Sequence, residues 1–98
     1  MKFLSLNCRG LASTRKTLSL KRVIQVQKLD IILLQETLGT EEEVSRVLSS
    51  ISSSFTFLAQ SAKGHSGGLA IVWNPTMLHC QNSWGASFGM GLELFWTE

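Results

Sequence analysis

The sequence predicts an α/β fold on three observations. A four-residue apolar block, Ile31–Leu34, comes directly after an amphipathic helical segment. A second amphipathic segment, headed by a capping sequence, follows that block. The apolar runs after residue 54 have strand length and carry no helical period.

The first element is a short strand over Lys2–Asn7, with Phe3, Leu4 and Leu6 as its apolar side chains. Arg9-Gly10-Leu11 breaks the pattern, and Ser13 or Thr14 caps a helix that runs to about Lys28. Leu20, Val23 and Ile24 form an i, i+3, i+4 stripe, while Lys21, Arg22, Gln25 and Lys28 lie off it. Four consecutive apolar residues at 31–34 then read as a strand buried on both faces, the mark of a parallel strand. Residues 2–36 therefore form one βαβ unit.

Thr40-Glu41-Glu42-Glu43 is a capping box, and acids in a first turn favour the positive end of the helix dipole. Val44, Val47, Leu48 and Ile51 follow at helical spacing, and the serine-rich stretch 49–54 ends the helix. Phe55–Ala59 is β-prone, Gln60–Gly68 is a polar, glycine-bearing loop, and Leu69–Trp73 is a buried strand stopped by Asn74-Pro75. Met77–Asn82 forms a short strand and Leu92–Trp96 a final one. The order β-α-β-α-β followed by strands alone gives an α/β core with an antiparallel extension. No repeat or linker divides the chain, so residues 1–98 are one domain unit.

Composition removes several classes of function. Apolar residues make up 44% and charged residues 16%, a globular balance that excludes disorder along most of the chain. Two cysteines, Cys8 and Cys80, make neither a disulfide framework nor a zinc pattern, which points to a reducing, intracellular setting. No secretory signal is present, and no apolar run can span a bilayer, so no membrane role is expected. The net charge of +2 hides an asymmetry: residues 1–28 hold seven Lys or Arg and no acid, and the remainder holds two against seven acids. Such a split suits either a phosphate-facing surface or a solvated helix face. Nothing in the sequence sets an oligomeric state.

Asn7 and Glu36 are the strongest chemical pair. Each ends a strand of the βαβ unit, so both sit on the side of the sheet where open α/β folds bind ligands. Adjacent strands lie about 4.8 Å apart, close enough for the two side chains to share a ligand. An amide oxygen and a carboxylate suit a hard cation such as Mg²⁺, held weakly by a single carboxylate. The alternative is a turn-forming Asn7 and a solvated Glu36.

Other patterns fail on order. Gly64-His65-Ser66-Gly67-Gly68 matches G-x-S-x-G, but a strand follows where a nucleophile elbow needs a helix. A trypsin-like reading needs a histidine before His65, and there is none. His65 is a solvated loop residue or a phosphate contact. His79 and Cys80, adjacent on a strand, face opposite sides. Cys8 reads as a small buried residue, and Trp73, Trp84 and Trp96 as core or interface residues.

Taken as words, several blocks are more specific. Met1-Lys2-Phe3-Leu4-Ser5-Leu6-Asn7-Cys8-Arg9-Gly10-Leu11, Asp30-Ile31-Ile32-Leu33-Leu34-Gln35-Glu36-Thr37 and Ser66-Gly67-Gly68-Leu69-Ala70-Ile71-Val72-Trp73 occur in that order, with Asn82-Ser83-Trp84-Gly85 and Glu93–Trp96 after them. This series resembles the endonuclease/exonuclease/phosphatase family, in the form found in plant LINE-type (non-LTR) retrotransposons. The resemblance implies a four-layer α/β sandwich, two packed sheets with outer helices, of which this chain is the N-terminal portion.

The resemblance further implies Mg²⁺- or Mn²⁺-dependent phosphodiester hydrolysis, with DNA as partner. Glu36 matches the metal-ligating glutamate, Asn7 the asparagine near the metal and scissile phosphate, and Gln35 a supporting neighbour. A nuclear address follows only by that analogy, and no basic localisation cluster accompanies it. Leu6 stands where the retroelement pattern has Trp. The family's Gly-Asp-x-Asn and Ser-Asp-His motifs, which carry the catalytic Asp, a stabilising Asn and the water-activating pair, do not occur in the 98 residues. The expected activity of this segment alone is therefore slight or none, its cation weak or absent. The alternatives are a non-catalytic nucleic-acid-binding remnant and a pseudogene-like fragment.

Overall fold

Two amphipathic helices must bury their stripes, and both do so on one face of a four-stranded sheet. The computed structural model describes residues 1–11, 13–51, 53–61, 67–86 and 89–97. Its elements are β1 (Phe3–Asn7), α1 (Thr14–Gln27), β2 (Ile31–Gln35), α2 (Glu41–Ile51), β3 (Thr56–Gln60), β4 (Leu69–Trp73), β5 (Leu78–Ala86) and β6 (Gly89–Trp96). The result is an α/β fold with a mixed sheet of order β1-β2-β4-β3 and a separate β5-β6 hairpin.

The expected βαβ unit is present, with β1 and β2 parallel and Asn7 opposite Gln35. The third and fourth strands depart from simple succession. β4 inserts between β2 and β3 and runs antiparallel to both. β2 is not buried equally on its two faces, because both helices pack on one of them. Ile32 and Leu34 are 0% and 1% exposed beneath the helices, whereas Ile31 and Leu33, on the opposite face, are only half-buried.

Register explains the core. Leu4, Ile32, Val72 and Phe57 lie in one row across the sheet, and Leu6, Leu34, Ala70 and Ala59 in the next. Leu20 and Ile24 of α1 and Val44, Leu48 and Ile51 of α2 close over these rows. Val23, expected in the α1 stripe, is instead 38% exposed, along the cleft between α1 and the edge strand β1.

Local signals set the helix ends. The Ser13 hydroxyl accepts from the Lys16 N–H, and Lys28 closes α1 in the left-handed conformation. At α2 the Glu43 N–H donates to Thr40 Oγ1 (3.1 Å), and the Thr40 hydroxyl donates to the Glu43 carboxylate (3.2 Å). The return bond of this capping box thus uses the hydroxyl and not the Thr40 backbone N–H.

The hairpin is longer than the sequence indicated. β5 continues through Trp84 to Ala86, β6 starts at Gly89, and a bulge lies between Cys80 and Asn82. Polar residues at 81–83 mask the first strand, because a two-stranded ribbon needs no continuous apolar face. Trp73 is buried as expected, but Trp84 and Trp96 are 57% and 56% exposed. His79 is exposed and stacks on Phe95, while half-buried Cys80 donates to the Asn82 carbonyl. Among the described residues no helix is long and apolar enough to cross a membrane.

Candidate functional site

The mixed topology brings three chain segments to one end of the sheet. β1 and β2 finish there because they are parallel, and β4 begins there because it runs the other way. The segments are Asn7–Leu11, Gln35–Leu38 and Gly67–Gly68, and backbone hydrogen bonds stitch them together. The Cys8 N–H donates to the Gln35 carbonyl (2.7 Å), the Gly10 N–H to Glu36 (2.8 Å) and the Leu11 N–H to Thr37 (3.1 Å). From the other side, the Leu38 N–H donates to the Gly67 carbonyl (2.7 Å) and the Thr37 N–H to Gly68 (3.4 Å).

This stitched region holds Arg9, Gly10, Glu36, Leu38 and Gly68 in positive φ. Lys28, at a helix end, is the sixth such residue among those described. Left-handed conformations disfavour Glu and Leu, and they persist only where surrounding bonds over-determine them. Glu36 sits at φ 52°, with its carbonyl bonded to one segment and its two C-terminal neighbours bonded to the other. Glu36 is exposed at the sheet's end, and these bonds fix the backbone that carries it.

Asn7 is exposed at the end of β1, one register position from Glu36. Its Oδ1 accepts the Arg9 N–H (3.2 Å), so one lone pair of the expected ligand oxygen already serves the turn. Gln35 is exposed opposite it. The three residues singled out in the sequence therefore meet on one edge, and the turn role of Asn7 coexists with its place there.

Sequence reading missed Lys16. Its ammonium donates to the Cys8 (2.9 Å), Arg9 (2.9 Å) and Gly10 (3.3 Å) carbonyls from the first turn of α1. One cation thereby replaces solvent for three carbonyls of a tight loop, a long-range match that no local pattern encodes. Cys8 is buried below that loop, and desolvation raises its thiol pKa, opposed by the Lys16 charge and a backbone hydrogen bond at Gln35. It is a packing residue and not a nucleophile. An apolar cleft of about 470 Å³ opens beside Asn7, between β1 and α1, with Leu4, Leu6, Leu20 and Val23 along it and Arg15 at its rim.

As donors for a cation, the site offers the Glu36 carboxylate and the free capacity of Asn7. Among the described residues no group of three or more His, Cys, Asp or Glu stands ready to hold a metal ion. Mg²⁺ retains several waters and is often held by one or two carboxylates, so this donor set fits a mostly hydrated, weakly bound ion. His65, weighed as a phosphate contact, lies outside the described residues, as do Gly64 and Ser66.

A model of the Endonuclease/Exonuclease/phosphatase family matches residues 4–95. Among solved structures, the crystal structure of the Xenopus laevis APE2 catalytic domain is similar at 28% identity and a TM-score of 0.61, over 86% of this chain. The chain spans 26% of the length of that APE2 chain. No curated protein matches.

Proposed function

The chain belongs to the Endonuclease/Exonuclease/phosphatase family, and on that premise we infer that it forms the metal-holding corner of a Mg²⁺-dependent phosphodiesterase that acts on DNA. One observation carries this reading. Glu36, a charged residue with no intrinsic preference for left-handed backbone, is held there at the junction of three segments, exposed and beside Asn7. The four-layer sandwich, the DNA substrate and the LINE-type retroelement character belong to this reading and rest on the order of the sequence blocks. In it, residues 1–98 are the N-terminal portion of the domain.

Each residue then has a task. The Glu36 carboxylate is the cation's charged ligand. Asn7 presents an amide toward a phosphate oxygen while its turn bond to Arg9 fixes its rotamer. Lys16 locks the Asn7–Leu11 loop by its three carbonyl bonds, and Gln35 flanks the pair. A bound divalent ion supplies charge neutralisation at a phosphoryl oxygen. Cleavage also needs a positioned water and a base to take its proton, and among the described residues of this corner no group is assigned either task.

The test is a plasmid-nicking assay in Mg²⁺, with EDTA and Glu36→Ala as controls. The expected result is slight or no nicking by the 98-residue chain, whose corner shows no base among the described residues. Robust Glu36-dependent nicking would show that the described corner suffices and would overturn that assignment of roles. Nicking that persists in Glu36→Ala would remove Glu36 from the chemistry.

A second reading rests on α1. Arg15, Lys21 and Arg22 are exposed on a helix without an acid, and Arg15 borders the cleft beside Asn7. Non-catalytic binding of nucleic acid by this face predicts affinity that falls with salt, with a log–log slope of about −0.9 per phosphate neutralised on duplex DNA. Absence of binding at low salt excludes it.

A further inference from the structure

Gly67 lies against Glu36 more closely than any side chain would allow. A Cβ built on Gly67 would stand 2.8 Å from Glu36 Cγ, 2.9 Å from its Cα and 3.2 Å from its Cβ. The obstruction includes the Glu36 main chain, which is already held on both sides: the Gly10 N–H binds the Glu36 carbonyl, and the Gly67 carbonyl accepts from Leu38. Neither partner can retreat without breaking a bond that keeps Glu36 and Leu38 in positive φ. Close approach by itself requires a glycine at this position.

We propose that Gly67 is a positioning residue for Glu36: its missing side chain lets the 67–68 segment seat against the Glu36 stem and aim the carboxylate at a divalent cation. The proposal rests on the assignment of Glu36 as cation ligand. It adds a residue from β4's entry to a site otherwise composed of the ends of β1 and β2. Groups that orient a ligand without touching the metal commonly change affinity by about 10–100-fold.

Gly39 provides the matched control. It stands just beyond Leu38, and an added Cβ there meets only ordinary van der Waals neighbours, 3.5 Å from Val44 Cγ2 and 3.6 Å from Glu43.

The experiment measures Mn²⁺ binding to the 98-residue chain by electron paramagnetic resonance, with thermal midpoints of the metal-free proteins in parallel. Wild type binds, Glu36→Gln loses binding, Gly67→Ala weakens it by about 10–100-fold, and Gly39→Ala leaves it unchanged. A purely structural Gly67 would lower the thermal midpoint of Gly67→Ala while the folded protein kept wild-type affinity, and that result overturns the proposal. Equal binding by wild type and Glu36→Gln would instead overturn the assignment of Glu36 itself.

If Gly67→Ala does not fold, wild type decides. Mg²⁺ should slow hydrogen exchange of the Leu38 amide, which donates to the Gly67 carbonyl, and should not do so in Glu36→Gln, since coupling between sites is reciprocal. Unchanged Leu38 exchange would overturn the proposal.

Discussion

Residues 3–73 and the hairpin 78–96 are both rich in apolar side chains, yet they use them differently. In the first region Ile32 and Leu34 vanish beneath two helices. In the second, Leu78 is the one buried side chain among the described residues, while Trp84, Phe95 and Trp96 stand about half exposed. The hairpin is anchored at its two ends and has no core of its own. At one end the Met77 and Leu78 N–H groups donate to the Asn74 carbonyl, and at the other Gln60 Nε2 donates to the Ala86 carbonyl (2.6 Å). Isolated two-stranded ribbons are marginal in water, and such ties substitute for packing. The lesson is that a strained site is carried by the region with a core: Glu36 and Leu38 are held in positive φ just past β2, whose Ile32 and Leu34 are among the most buried side chains described.

The largest expected effect sharpens this contrast. Leu34→Ala should lose about 2–5 kcal/mol in urea denaturation, through lost burial and a cavity. Trp84→Ala should lose no more than about 1 kcal/mol, because its half-exposed indole covers only Gly91 across the hairpin. Similar losses at the two positions would erase the distinction.

A smaller effect tests the independence of the hairpin. The Trp84 indole lies on Gly91 across the β5–β6 pair, where any added Cβ would collide with it. Gly91→Ala should cost about 1 kcal/mol or less, by displacing the half-exposed indole from its cross-strand contact. Hydrogen exchange should quicken at 78–96 and stay unchanged at Ile32 and Leu34. Faster exchange in both regions would mean that they unfold as one.

The smallest effect is a pH dependence confined to the first region. Burial raises the Cys8 thiol above its ordinary value of 9.0 in the folded chain. The unfolded chain therefore releases that proton first, and stability falls as pH rises through 9.0 and above, with no Cys8 contribution at lower pH. Cys8→Ala should flatten the alkaline limb of the stability profile. An unchanged limb would place the ionisation elsewhere.

The sequence made legible what is local. The capping of α1 by Ser13, the start of α2 at Thr40, the parallel pairing of β1 with β2, and the convergence of Asn7, Gln35 and Glu36 all follow from spacing within one βαβ unit and the capping box beyond it. It hid what depends on distant partners. Leu-Ala-Ile-Val-Trp at 69–73 reads identically as a parallel or an antiparallel strand, so the insertion of β4 between β2 and β3 could not be foreseen. Positive φ at Glu36 and Leu38 has no signature in residue type, because tertiary hydrogen bonds impose it. Gly67 was visible as a glycine, but its neighbour thirty-one positions earlier was not.

The central place of β4 also sets an order of events in time. β3 pairs with β4 alone, and β2 is flanked by β1 on one side and β4 on the other. A nascent chain that has emerged only through β3 can form its helices and the β1–β2 pair, but β3 has nothing to join. Closure of the sheet waits for residues 69–73, and with it comes the second half of the bonding around Glu36. Such dependence on partners distant in sequence slows folding and exposes unpaired strands while it lasts. A pause in translation shortly before residue 69 would therefore prolong the most aggregation-prone stage in the life of this polypeptide.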